Sequence, residues 1–158
     1  MRNELTKYLI VTGLLMLGIM SFILIESRAE KDTIFVKGHL TSTVPVSIGH
    51  TILNVFVANT DYFRRVGLGG RAPILQNEGM LFIFDKSASH PFWMKDMLFA
   101  IDIIWLDESK RIVYIEKNVL PDSYPRNFAP NLPTRYVLET NSGFSEKNGV
   151  LIGDPVYF

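Results

Sequence analysis

Two carboxylates stand where apolar strands are expected. Asp102 alternates with Ile101 and Ile103 in the run IDIIWL, and a carboxylate buried there needs a counter-charge or several hydrogen-bond donors. It can pin backbone N–H groups of a neighbouring turn, with the FWMKD segment one candidate, or it can face a ligand as acceptor or general base. Glu139 lies in a second apolar run, YVLET. Facing Asp102, it would complete an acid–base pair of the kind used in glycoside hydrolysis, with Asp96 an alternative second carboxylate. Pairing with Arg64, Arg65 or Arg135 is the structural alternative.

Cations and aromatics supply the rest of the candidate chemistry. Arg64 and Arg65 precede a Gly69-Gly70 turn, and Arg71 follows it. Forked guanidinium groups there can hold a carboxylate or phosphate, or one can pair internally while the others are solvated. The Gly-Lys-Ser/Thr ending of a phosphate loop is missing. Phe92, Trp93 and Met94, followed by Lys95, offer a stacking platform for a sugar or another flat apolar face, with core packing the competing use. His39, His50 and His90 lack metal-ligand spacing, so no metal is expected, and no cofactor motif is present. No G-x-S-x-G elbow marks a nucleophile.

These residues need a scaffold. Val44–Ile48 and Thr51–Ala58 are β-branched and aromatic runs separated by Gly49 and His50, which predicts a hairpin. Thr60 can cap a short helix through YFRRV, ending at Gly67 or Gly69. Met80–Phe84, Ile101–Leu106, Arg111–Glu116 and Arg135–Thr140 read as strands. Asn141 or Ser142 can cap a last short helix before Gly149, and Val156–Phe158 forms a terminal strand. Without a long helix between strands, the expected fold is mainly β, a predominantly antiparallel barrel-like or sandwich domain with one or two short helices. Leu120–Pro133 carries Pro121, Pro125, Pro130 and Pro133, so it should be extended, as a surface loop or a cover over a barrel mouth.

Composition bounds the function classes. Of 158 residues, 47% are hydrophobic and 20% charged, which is globular. Sixteen basic and sixteen acidic side chains cancel, so no nucleic-acid partner is expected. The chain has no Cys, which excludes disulfides and thiol chemistry.

Tyr8–Ile25 carries no charge and as a helix spans roughly 27 Å, close to a hydrocarbon core. It predicts a single-pass anchor with a cytoplasmic N-terminus, the weak positive bias coming from Arg2 and Lys7. Cleavage as a signal peptide, with Ser27 and Ala29 as the small residues, is the competing reading and would leave a secreted or periplasmic domain. Either way residues 33–158 lie outside the cytoplasm, with 1–32 as anchor or signal, 33–43 as a stalk or peripheral strand and 44–158 as the folded body.

Several words in that body carry more than periodicity: VANT at 57–60, RRVGL at 64–68, EGMLFIF at 78–84, FWMKDM at 92–97, IDIIWLD at 101–107 and YVLETNSG at 136–143. Their order and spacing resemble the domain-of-unknown-function family 192, also called uncharacterised protein family 0127, over about residues 44–158. The resemblance implies a compact β-rich, barrel-like fold, often exported or anchored, without an established activity. This chain departs from the family's pattern in three places. Gly69 stands where Met is usual, Asp96 where Asn is usual, and the cysteines that many members carry near Pro121 are missing.

The leading expectation is a non-catalytic binding domain outside the cytoplasm. Its site draws on Arg64, Arg65, Trp93, Lys95, Asp96, Asp102 and Glu139, and its partner is a small molecule, a saccharide or an envelope protein. A small carboxylate-dependent hydrolase and an assembly partner of another envelope protein are the alternatives.

Overall fold

The computed structural model describes residues 43–158; the segment 8–25 and the stretch 33–42 lie outside the described residues. Seven strands form a single sheet: β1 (Thr43–Ile48), β2 (Thr51–Ala58), β3 (Glu78–Ala88), β4 (Ile101–Leu106), β5 (Ile112–Val119), β6 (Thr134–Asn141) and β7 (Val156–Tyr157). Their order across the sheet is β5-β4-β6-β3-β2-β1-β7. The outer strands meet at one corner, where Ile112 N–H donates to Asp154 O (3.0 Å), Gly153 N–H to Ile112 O (2.7 Å) and Val156 N–H to Lys110 O (2.9 Å). The result is a curled half-barrel, not a two-sheet sandwich. No helix among the described residues is long and apolar enough to cross a membrane.

Local chemistry explains most element boundaries. The β1–β2 hairpin turns through Gly49, whose φ of 57° is costly for a residue with a Cβ. Helix α1 (Asp61–Val66) begins where the Thr60 side chain accepts from Phe63 N–H, and ends at Gly67 with φ 53°. It lies in a crossover, because β2 and β3 pair in parallel. This is the one departure from antiparallel pairing in the sheet, and parallel neighbours need such a long connection.

The last short helix is not capped as the sequence suggests. Helix α2 (Phe144–Lys147) has Gly143 at its N-cap with no side-chain cap of its own. Asn141 instead closes β6, and its amide donates to Ile74 O (3.2 Å) and Leu75 O (2.8 Å), tying the end of the crossover to the sheet. The proline-rich segment 120–133 contributes one 3-10 turn, Pro121–Ser123. It then holds the FWMKDM loop through reciprocal backbone bonds between Phe92 and Phe128 (2.9 and 2.8 Å).

Register assigns the faces, since directly paired residues share one. Leu81, Leu138 and Ile104 align across β3, β6 and β4 and join Val46, Ile48, Leu53, Val55, Phe144 and Val150 in the main core. Met80, Glu139 and Ile103 align on the opposite face. That face also carries the edge-on pairs of Phe92 with Phe82 (4.8 Å) and with Trp105 (5.9 Å between centroids). A site must open on this second face, where α1 and the loops cover the sheet incompletely.

Candidate functional site

The second face holds a cleft of about 910 Å³ between the α1–glycine turn and the FWMKDM loop. Six of the seven candidate residues line it, Arg64, Arg65, Trp93, Lys95, Asp96 and, from the sheet, Glu139, and Asp102 alone is absent.

Alternation within the FWMKDM loop explains its role as a wall. Met94 and Met97 are buried anchors, while Trp93 is left 49% exposed and Lys95 and Asp96 are exposed. Met97 N–H donates to Met94 O (3.2 Å), so Lys95 and Asp96 form the tip of a turn. Asp96, the third residue of that turn, has φ 59°, a left-handed value that Asp and Asn tolerate best among residues with a side chain. The opposing turn is fixed to it by Gly70 N–H donating to Asp96 O (2.8 Å). A Cβ at position 69 would stand 3.1 Å from Val66 O, 3.3 Å from Lys95 O and 3.5 Å from the Asp96 Cβ. Gly69 and Asp96, two of the departures from the family pattern, are therefore neighbours in space.

The arginines differ in freedom. Arg64 donates to Ile83 O (2.8 Å) and pairs with Asp61 (2.6 Å), and its guanidinium lies 5.6 Å from the Phe84 ring centroid. It braces α1 against β3. Arg65 is exposed on the rim. Arg71 packs its guanidinium over Phe56 (5.7 Å) and does not line the cleft.

The sequence marks His90 only as a histidine without metal-ligand spacing, yet it lines the cleft and stacks on Phe84 with centroids 3.5 Å apart. Burial lowers its pKa, against the raising effect of the Lys86 carbonyl (Nε2 to O 3.1 Å), and the nearby Arg64 charge lowers it further. Only its position beside Pro91 and Phe92, at the start of the FWMKDM loop, could have signalled this.

The carboxylates occupy opposite sides of the sheet. Asp102 pairs with Thr140 on the core face, whereas Glu139 pairs with Ile103 on the cleft face, so a catalytic Asp102–Glu139 pair is excluded. Asp102 is fully buried and its oxygens are occupied. Oδ1 accepts from Asn118 N–H (2.9 Å) and Gly143 N–H (3.1 Å), and Oδ2 accepts from Ser145 N–H (2.9 Å). It pins a turn, as the sequence allowed, but that turn is the start of α2 and not the FWMKD segment. Asp102 thus supplies from β4 the cap that α2 lacks.

Glu139 is 4% exposed, and its Oε2 is buried without a hydrogen-bond partner. The alternative pairing with Arg64, Arg65 or Arg135 is not made: Arg64 is held by Asp61 and Ile83, Arg65 is exposed on the rim, and Arg135 pairs with Glu108 (2.5 Å). Burial pushes the Glu139 pKa up to about 8, which favours the carboxylic acid over the carboxylate, and the acid form can donate as well as accept. Among the described residues no group of three or more His, Asp or Glu is placed to hold a metal ion.

A half-barrel with a cleft floored by one unpaired acid defines a class of β-rich domain with a preformed polar recess. The chain belongs to the DUF192 family, described as uncharacterized ACR, whose model matches residues 44–158. A crystal structure of a protein of unknown function from Novosphingobium aromaticivorans DSM 12444 is similar at TM-score 0.70 and 28% identity, covering 73% of this chain and 85% of that one. A second, from Sinorhizobium meliloti 1021 and described as a candidate transcription regulator, has TM-score 0.70 and 28% identity over 74% of this chain and 95% of its own. No curated protein matches the chain.

Proposed function

We propose that the cleft is a non-catalytic binding site for a small molecule, carried by a domain that residues 8–25 hold outside the cytoplasm. One observation carries the binding reading: the Glu139 carboxyl, buried and with Oε2 unpartnered, lines the cleft. Burying a carboxyl group without a hydrogen bond costs free energy, and a bound ligand is the partner that would offset it. Trp93 adds an exposed aromatic wall, and Arg65 and Lys95 add charge at the rim. The balanced charge of the chain supports a small molecule over nucleic acid as the partner, so the description of the Sinorhizobium relative is not carried over.

Thermal denaturation against a panel of carboxylates, saccharides, phosphates and peptides tests the reading. A ligand at about 100 times its dissociation constant adds roughly 2.7 kcal/mol to stability. The expected hit is lost in Trp93→Ala and in Glu139→Leu, neither of which removes a partner of the main core. A panel silent throughout, or a hit indifferent to both substitutions, rejects the site. For location, alkaline phosphatase fused after Phe158 is expected to be active in cells; an inactive fusion alongside an active cytoplasmic reporter would put the domain inside.

A further inference from the structure

The chemistry of the cleft narrows its ligand, on the premise that it is a binding site. We infer that it takes a small organic monocarboxylate with a flat apolar body, whose carboxylate accepts a hydrogen bond from the Glu139 carboxyl while Trp93 and Phe92 flank the body.

Charge selects the class. Of the ionisable groups lining the cleft, α1 contributes Asp61, Arg64 and Arg65, and the 90–97 loop contributes His90, Lys95 and Asp96. Asp61 is taken up by Arg64 at 2.6 Å, and His90 is disfavoured as a cation by burial. Arg65 and Lys95 then stand against Asp96 alone, a net positive rim that favours an anion over an ammonium group. Asp102, the other buried acid of these strands, faces away. A neutral polyol would bond to Glu139 but leave the rim charge unused. An anion uses both, provided that Glu139 donates, since a carboxylic acid meeting a carboxylate forms a charge-assisted hydrogen bond. The apolar walls, Trp93, Phe92, Phe84 and Met97, suit a flat body better than a hydroxylated one.

This dictates a pH dependence. Burial alone raises the Glu139 pKa, to about 8, so binding of an anion is fully present below that value and is lost as pH rises through it.

Calorimetry on the full-length chain with phenylacetate, phenylacetamide and phenethylamine tests the inference at matched size. Phenylacetate is expected to bind at least about tenfold more tightly than the amide, with no binding of the amine, and to weaken about 30-fold between about pH 6.5 and about pH 9.5. Glu139→Gln, which still donates but does not titrate, should keep the affinity at the lower pH and flatten the profile. The exposed pair Arg65→Ala with Lys95→Ala should weaken the acid and leave the amide unchanged. Equal or tighter binding of the amide or amine, lost in Trp93→Ala, overturns the carboxylate class while the cleft remains a binding site. A pH-independent phenylacetate affinity overturns the role given to Glu139. No binding by any probe, with the broader panel also silent, overturns both readings together.

Discussion

Asp102 and Glu139 lie on adjacent central strands, one register position apart, and have opposite fates. Asp102 faces the main core and accepts from Asn118, Gly143 and Ser145. Glu139 faces the cleft with Oε2 unpartnered. Period-two alternation sends neighbouring register positions to different worlds. On one side a carboxylate is consumed in organising the fold, joining β4 to the end of β5 and to α2. On the other a carboxyl is left without an internal use, and the fold bears the cost of keeping it buried.

Stability should separate the two by sign. Asp102→Ala strands three backbone N–H groups and is expected to cost about 4 kcal/mol in urea denaturation. Asp102→Asn should recover only part of this, because its amide would point a donor at a donor. If Asp102→Asn is as stable as the parent chain, the carboxylate is not the organiser described above.

Glu139 should behave in reverse. Its pKa in the folded chain, about 8, lies above that of an unfolded glutamate, so its contribution is fully present below about pH 4.3 and declines as pH rises towards 8. The decline is about 1.4 kcal/mol per pH unit, and a few kcal/mol in all. Glu139→Gln lacks this titration. It should match the parent chain near pH 4 and exceed its stability by a few kcal/mol near pH 8, as pH-dependent unfolding would show. A parallel pH dependence in parent and variant would mean that Glu139 ionises in the folded chain as an exposed glutamate does.

Much of this scaffold was legible in the sequence. The Gly49-His50 hairpin, the Thr60 cap and the strand at 101–106 follow from turn chemistry and apolar runs that act locally. What was not legible depends on register between distant strands. Asp102 and Glu139 both stand in apolar runs, and only the Asp102–Thr140 pairing reveals that they face apart. The sequence offers Asn141 or Ser142 as the cap of α2, whereas Asp102 supplies it from β4. The parallel β2–β3 pair has no local mark in the sequence because its crossover contains only a short helix. Six of the seven candidates line one cleft: the FWMKDM loop and the arginines before the glycine turn were marked by unusual composition, and Glu139 by its place in an apolar strand. His90 carried no comparable mark.

A middle-sized effect tests whether the cleft face is tied down from its edge. Asn141 ends the strand that carries Glu139, and its amide holds the crossover through Ile74 O and Leu75 O. Asn141→Ala should cost about 1 to 2 kcal/mol and increase hydrogen exchange in residues 70–77, while leaving α2 protected by Asp102. Equal loosening of α2 would mean that the two faces do not open separately.

The smallest effect concerns the departure at Asp96. Its φ of 59° is what this turn demands, and Asn and Asp both accept it with short polar side chains. Asp96→Asn should therefore change stability by less than about 0.5 kcal/mol, whereas Asp96→Ala should cost about 1 kcal/mol through backbone conformation alone. The two substitutions remove the same charge from the cleft rim, so a ligand that responds to that charge should respond to both equally. For an anionic ligand the change should be a modest tightening, read by calorimetry, because Arg65 and Lys95 would then stand unopposed. If only Asp96→Ala alters affinity, the turn's backbone and not the charge at its tip shapes the cleft, and Glu139 alone separates this face from the one that Asp102 seals.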